Sequence, residues 1–279
     1  MTRQIEVRPI SGALGAEIHG LDLSGELENS TMAAVRQAFF DHGVVFFMDQ
    51  QITPEQQLGF ARRFGEIDVN RYFPTVDGYP EVAEVRKEPD DSYNIGGSWH
   101  TDHSYDATPA LGSMLYAKTL PERGGDTMFA SMYAAYDALS SGMVDMLSGL
   151  RAVHSGARAF GPKATSNDRG AKFKLSETAL AEVEHPVICT HAESGRKYLY
   201  VNRGFTLRFA NMAEDESKPL LEFLFQHAAR PEFTCRFNWR PGAMAFWDNL
   251  CTQHFAVNDY HGQTRLMHRI TIQGRAPQA

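Results

Sequence analysis

At 279 residues, with 43% hydrophobic and 22% charged side chains, the chain has the make-up of a globular protein, which excludes a disordered polymer and a membrane helix bundle. Its 27 Lys and Arg against 34 Asp and Glu leave a net charge of −7, and this argues against a nucleic-acid partner, which demands clustered cations. The first residues carry no apolar run, no stretch approaches the about 20 apolar residues of a membrane span, and the three cysteines form no CxxC pair, so no membrane association and a reducing cytoplasmic setting are expected.

In chain order, 5–10 and 15–20 alternate and turn like short strands. A helix is expected from a cap at Ser30 to about residue 41, with Met32, Val35, Ala38 and Phe39 inward and Gly43 as its stop. Val44 to Met48 reads as a buried strand. Thr53-Pro54-Glu55-Gln56 has the pattern of a capping box with Pro at N1, opening a helix that carries Leu58, Ala61 and Phe64 inward. Residues 87–98 read as a polar loop, followed by strands at 98–104, 112–118 and 126–130, with Gly124-Gly125 as a turn and helix over 131–150. The irregular stretch 155–180, with Arg158, Lys163, Arg169, Lys172 and Lys174, reads either as a lid attracting an anionic substrate or as a solvated loop. Strands at 186–191 and 197–202, a helix over 217–229, and strands at 233–239, 243–248 and 266–273 complete the pattern. Many short strands with helical excursions predict a mainly β fold with flanking helices, a double-sheet jelly roll, as a single domain over 1–279.

His100 and Asp102 stand two apart, the spacing that brings side chains to one face of a strand. His254 follows far along the chain. Two imidazoles and one carboxylate bind one face of a ferrous ion and leave open positions for oxygen. Alone, His-x-Asp equally fits an ion pair and His254 a core histidine; Asp248 and Asn249 could orient the His254 ring. Arg265 and Arg269, four apart on a closing strand, would share one face and would need anions if turned inward. A guanidinium matches a carboxylate with two parallel hydrogen bonds. Thr127, after the glycine turn, is in itself only a good strand residue. No nucleotide-binding, GxSxG or zinc-type motif is present.

Gly12-Ala-Leu-Gly-Ala-Glu17, Phe64-Gly65-Glu66, Trp99-His100-Thr101-Asp102, Gly124-Gly-Asp-Thr127, Ala134 to Ser140, Val201-Asn202, Phe246-Trp-Asp-Asn249, His254 and Arg265-Leu-Met-His-Arg269 together resemble the taurine dioxygenase family, which includes aryloxyalkanoate dioxygenases. The resemblance implies a double-stranded β-helix, a small-molecule substrate and homo-oligomers. It implies Fe(II) held by the catalytic set His100, Asp102 and His254, 2-oxoglutarate held by Arg265 and Thr127, and O2 as oxidant. It places Arg269 against the anionic group of a sulfonate, sulfate ester or carboxylate whose unactivated C–H is hydroxylated, with succinate and CO2 formed. Asn70 and Phe73 stand where taurine dioxygenases carry a histidine and a tyrosine, and Ile95-Gly96 stand where those enzymes carry a pocket asparagine, Asn94 falling too early. Taurine itself is therefore not the expected substrate. Phe205 matches an aromatic pocket wall or a core position. The alternatives are an oxygenase of the same type for a non-anionic hydrophobic substrate, a non-catalytic jelly-roll sensor of 2-oxoglutarate, and a zinc hydrolase on the same scaffold.

Overall fold

Alternation in the first twenty residues forms a hairpin in which β1 (Glu6–Pro9) pairs antiparallel with β2 (Ala16–His19). This comes from a computed structural model that describes residues 5–161 and 177–279. Helix α1 (Asn29–His42) buries Met32, Val35, Ala38 and Phe39 and ends on Gly43 at φ 69°. Its N-cap is Glu28 rather than Ser30: Ser30 already lies inside the first turn, and its hydroxyl bonds to the Glu28 carboxylate. The apolar run gives β3 (Val44–Phe47), buried throughout. Helix α2 (Pro54–Arg62) has the full capping box of Thr53 and Gln56; Phe64 is buried just beyond its end.

Three strands follow that the pattern did not reveal: β4 (Ile67–Asp68), β5 (Thr75–Val76) and β6 (Tyr79–Lys87), so Lys87 closes a strand and the polar loop begins after it. The expected strand over 98–104 is instead a series of turns, with a single bridge between His100 and His254. β7 (Gly112–Thr119) and β8 (Thr127–Ser131) fall as expected, with Gly124 and Gly125 both at positive φ between them. The helical stretch divides into α3 (Met132–Asp137) and α4 (Ser141–Leu147), because Ser131 caps the first and Ser140 starts again by accepting from the Met143 N–H.

Then come β9 (Arg151–Ser155) and α5 (Ala157–Phe160), which carries Arg158; the other members of the expected lid, Lys163, Arg169, Lys172 and Lys174, lie outside the described residues. β10 (Glu182–Pro186), β11 (Ile188–Thr190), β12 (Lys197–Leu199) and β13 (Thr206–Phe209) lead to α6 (Glu214–Ala228). The chain closes with β14 (Thr234–Phe237), β15 (Met244–Asp248), β16 (Thr252–Ala256) and β17 (Arg265–Ile272).

The large sheet runs β1-β2-β3-β15-β7-β17-β6-β5, with β4 on β17; it faces a small sheet ordered β14-β8-β16. These two sheets make the double-stranded β-helix. The pleat divides each central strand between two cores. Val45, Phe47, Met244 and Phe246 meet α1 and α2 on the outer face, whereas Val44, Phe46, Ala245 and Trp247 meet Phe129, Phe237 and Trp239 between the sheets. This explains why β3 and β15 lack alternation: both of their faces are covered. Phe39 stacks on Phe246 at 4.0 Å and Phe46 on Phe237 at 3.9 Å. No helix among the described residues is long and apolar enough to cross a membrane.

Phe246 joins α1 to the large sheet without reaching the inner cavity. Phe246→Ala is expected to lower unfolding stability by about 3–5 kcal/mol in urea titration; a loss below about 1 kcal/mol would remove this contact from the account of the core.

Candidate metal centre

The bridge between His100 and His254 is the local device that assembles the centre. His100 N–H donates to the His254 carbonyl at 3.1 Å and His254 N–H to the His100 carbonyl at 2.9 Å. Residues paired this way project to the same side, and the two rings lie 4.0 Å apart. A turn after His100 then brings Asp102 back, with Oδ1 at 3.6 Å from His100 Nε2 and 3.7 Å from His254 Nε2. His100, Asp102 and His254 are the one group of metal-capable side chains that close on a common centre among the described residues, and all are buried.

Each partner is fixed in a metal-competent form. His100 Nδ1 lies 2.7 Å from the Ser98 carbonyl, which accepts its proton and leaves the Nε2 lone pair facing Asp102. Burial lowers the pKa of both imidazoles, more strongly for His254, and keeps them neutral. Burial alone would raise the Asp102 carboxyl, but the Arg269 guanidinium, 2.6 Å from Oδ2, holds it well below the usual range. Ser113 donates to Asp102 Oδ2 at 2.9 Å and accepts from Asn249 Nδ2 at 3.0 Å. Asp248 and Asn249 therefore do not orient His254 as expected: Asp248 pairs with His191, and Asn249 acts on Asp102 through Ser113. Trp247 flanks His254 instead, ring to ring at 4.7 Å.

On the inner face of β17, Arg265 is only 4% exposed, and its Nε and Nη2 have no hydrogen-bond partner among the described residues. Thr127 accepts from Trp239 Nε1 at 3.0 Å, and the Arg265 guanidinium lies 5.6 Å from the Trp239 ring, so the indole joins the two groups. A buried, unpartnered guanidinium beside a buried hydroxyl fits a carboxylate ligand. The donor set and this cradle together fit Fe(II) and 2-oxoglutarate.

A cavity of about 240 Å³ opens beside His100 and Asp102. All four expected substrate positions, Asn70, Phe73, Phe205 and Arg269, line it. Arg269 is less free than expected, since Asp102 and Ser113 take its Nη2; its Nε has no partner among the described residues. Asn70 also holds its own turn by accepting from the Tyr72 and Phe73 N–H groups. Asn94 turns away from the cavity to the Tyr260 hydroxyl and the Ala256 carbonyl, and Ile95 and Gly96 take the wall. Sequence reasoning missed Tyr105, Phe160 and His103. His103 reaches the cavity because its backbone is left-handed, at φ 57°, rather than in strand phase.

Ser104 binds the turn after Asp102 to the body: its hydroxyl meets Asn202 Nδ2 at 3.0 Å and His154 Nδ1 at 3.3 Å, and its carbonyl meets His185 Nε2 at 3.0 Å. Burial and the adjacent His185 lower His154 to about 3. Gly204 passes so close that a Cβ there would stand 2.8 Å from His100 Cβ.

A model of the family "Taurine catabolism dioxygenase TauD, TfdA family" matches residues 6–271. The chain is 35% identical to an alkylsulfatase of Acinetobacter baylyi, with 98% of this chain and 86% of that protein covered. It is 34% identical to an alpha-ketoglutarate-dependent sulfate ester dioxygenase of Pseudomonas putida, with 98% and 91% covered. The crystal structure of a taurine dioxygenase from Burkholderia xenovorans superposes with a TM-score of 0.84 at 36% identity, over 98% of this chain and 92% of that one.

Gly204→Ala is expected to push His100 aside and weaken Mn(II) binding by about tenfold or more while leaving the circular dichroism spectrum unchanged; unchanged affinity would mean that this contact does not position the ligand. A folded-state pKa of about 3 for His154 lies below its unfolded value, so the unfolded chain takes up the proton first. Its contribution is present above pH of about 6.5 and is lost progressively as pH falls toward 3. His154→Gln should flatten the fall of stability between pH 6.5 and 4 in urea titrations, and an unaltered slope would contradict this.

Proposed function

The chain belongs to the TauD, TfdA family of iron(II)- and 2-oxoglutarate-dependent dioxygenases, and from that premise we propose that it hydroxylates an unactivated C–H of a small organic anion with an apolar body. The single observation that carries this reading is the cavity: Arg269, paired with Asp102, lines it together with Phe73, Tyr105, Phe160, Phe205 and Ile95. Asp102 is the one acidic residue of the lining among the described residues, and Arg269 already engages it. An amine-bearing sulfonate such as taurine would find no free carboxylate there for its amine, whereas the anionic group of an alkyl or aryl sulfate ester, sulfonate or carboxylate would meet the unpartnered Nε of Arg269. The alkylsulfatase and the sulfate ester dioxygenase among the relatives support the same class.

In this reading His100, Asp102 and His254 hold the iron, and Arg265 with Thr127 holds the far carboxylate of 2-oxoglutarate. Bound iron and 2-oxoglutarate supply the oxidation, in which O2 is divided between succinate, formed with loss of CO2, and the substrate hydroxyl. The chain's own work is positional. Arg269 keeps Asp102 ionised and offers its Nε to the substrate anion. The aromatic wall excludes water and presents one C–H to the centre. Where that carbon bears an ester or ether oxygen, the hydroxylated product would collapse with bond cleavage.

We also propose that the chain forms a single domain, because residues as far apart as Asn70 and Arg269 line one cavity. Three buried free thiols support a reducing, cytoplasmic setting. Self-association as a homo-oligomer is part of the same reading and rests on the family resemblance.

Succinate release tests the substrate class. A short alkyl sulfate should exceed taurine by about tenfold or more in kcat/KM, the effect of burying a few methylenes and sparing an unpaired amine. Phe205→Ala should raise the concentration of that sulfate needed for half-maximal rate by about tenfold, while the corresponding concentration of the keto acid stays within about twofold. Equal turnover of taurine, or sulfate saturation indifferent to Phe205, would overturn the reading.

A further inference from the structure

Lys87 is a buried cation that the centre described above does not use. It ends β6 directly opposite Arg265 in the antiparallel register of β6 and β17. Opposed residues of such a pair project to the same face with Cβ atoms about 4.5–5.5 Å apart. That face is the inner one, because Met267 and Arg269, the alternate residues of β17, are buried on it. Lys87 is 3% exposed, and its Nζ has no hydrogen-bond partner among the described residues. The ammonium rests 4.3 Å from the centre of the Tyr260 ring, and the Tyr260 hydroxyl is committed to Asn94. Burial lowers the lysine's pKa.

The local carboxylates are occupied elsewhere. Asp126 takes Arg236 and Asn238, and Asp259 takes Arg236 and the Gly125 N–H. Glu88, the next residue along, accepts from Arg86 and Thr264. Two buried cations thus face each other on the inner wall of the sheet, and neither is hydrogen-bonded to a carboxylate among the described residues. Such an arrangement is strongly unfavourable unless a ligand supplies the negative charge. The aromatic ring under the ammonium holds it in place without neutralising it.

We propose that Lys87 is a second anchor for the distal carboxylate of 2-oxoglutarate, gripping it across from Arg265. This rests on the reading of Arg265 as the first anchor. With two cations at the far end of the cradle, selection for a dicarboxylic keto acid over a monocarboxylic one becomes steeper than one guanidinium would give.

The test is calorimetric binding to the Mn(II)-loaded protein, without turnover, of 2-oxoglutarate and of 2-oxopentanoate, which carries a methyl in place of the distal carboxylate. Lys87→Met should weaken 2-oxoglutarate by about tenfold or more, the size of a lost charge-assisted contact, and change 2-oxopentanoate by less than about twofold. Lys87→Arg should retain most of the affinity. If Lys87→Met does not fold, Lys87→Gln carries the same expectations. Unchanged 2-oxoglutarate affinity, or equal weakening of both keto acids, would overturn the role of Lys87. Arg265→Met separates the two readings: if it loses 2-oxoglutarate while Lys87→Met does not, only the second anchor fails, and if it loses nothing, the first reading fails with it.

Discussion

A carboxylate that is 4% exposed inside a β-barrel survives only because a guanidinium meets it, and the Arg269–Asp102 pair is the constraint on which the rest of the centre depends. Removing one partner from a buried pair leaves an uncompensated charge, which costs several kcal/mol, on the order of 3–5. The pair also sets the protonation states around it. Asp102 stays ionised, while burial and the nearby Arg269 charge keep the two imidazoles neutral against its pull, so that they offer lone pairs rather than protons. Ser113 and Asn249 carry the same logic outward, satisfying the carboxylate oxygen that Arg269 shares.

Topology delivers these groups with few moving parts. β17 lies between β6 and β7 in the large sheet, so its inward residues Arg265 and Arg269 stand over one wall while Ser113 comes from the neighbouring strand. The small sheet brings His254 on β16 and Thr127 on β8, whose direct register partner is Ala256. The bridge between His100 and His254 ties the irregular segment to that sheet. The candidate metal ligands, the proposed keto-acid cradle and the cavity therefore sit between two sheets whose spacing is set by Phe46, Phe129, Phe237 and Trp247. Catalytic geometry and core packing are parts of the same layer, and the outer aromatic layer around Phe39 and Phe246 can be altered separately from it.

Much of this was legible in the sequence where the chemistry is local or the residue type is rare. The capping box, the apolar run of β3, the His-x-Asp spacing and the two arginines four apart each state their purpose within a few residues. What stayed hidden depends on partners far along the chain. Residues 98–104 have strand-like spacing, but turns carry the ligands, because a bridge to His254 replaces a regular ladder. His254 itself lies on β16, a strand whose polar residues Thr252 and Gln253 conceal it. Asn249 is close in sequence to the histidine, yet it serves Asp102, far back along the chain, through a serine that has no motif. Lys87 read as the start of a polar loop because nothing local reveals that its neighbour across the sheet is Arg265.

Anaerobic calorimetric titration of the apoprotein with iron(II) tests the central claim most directly, using the native chain beside Asp102→Ala and His254→Ala. The account predicts one equivalent bound by the native chain and none by either variant under the same conditions. Retention of one equivalent at native affinity by both variants would contradict it, because the iron would then sit somewhere other than between the two bridged histidines and the carboxylate that Arg269 holds.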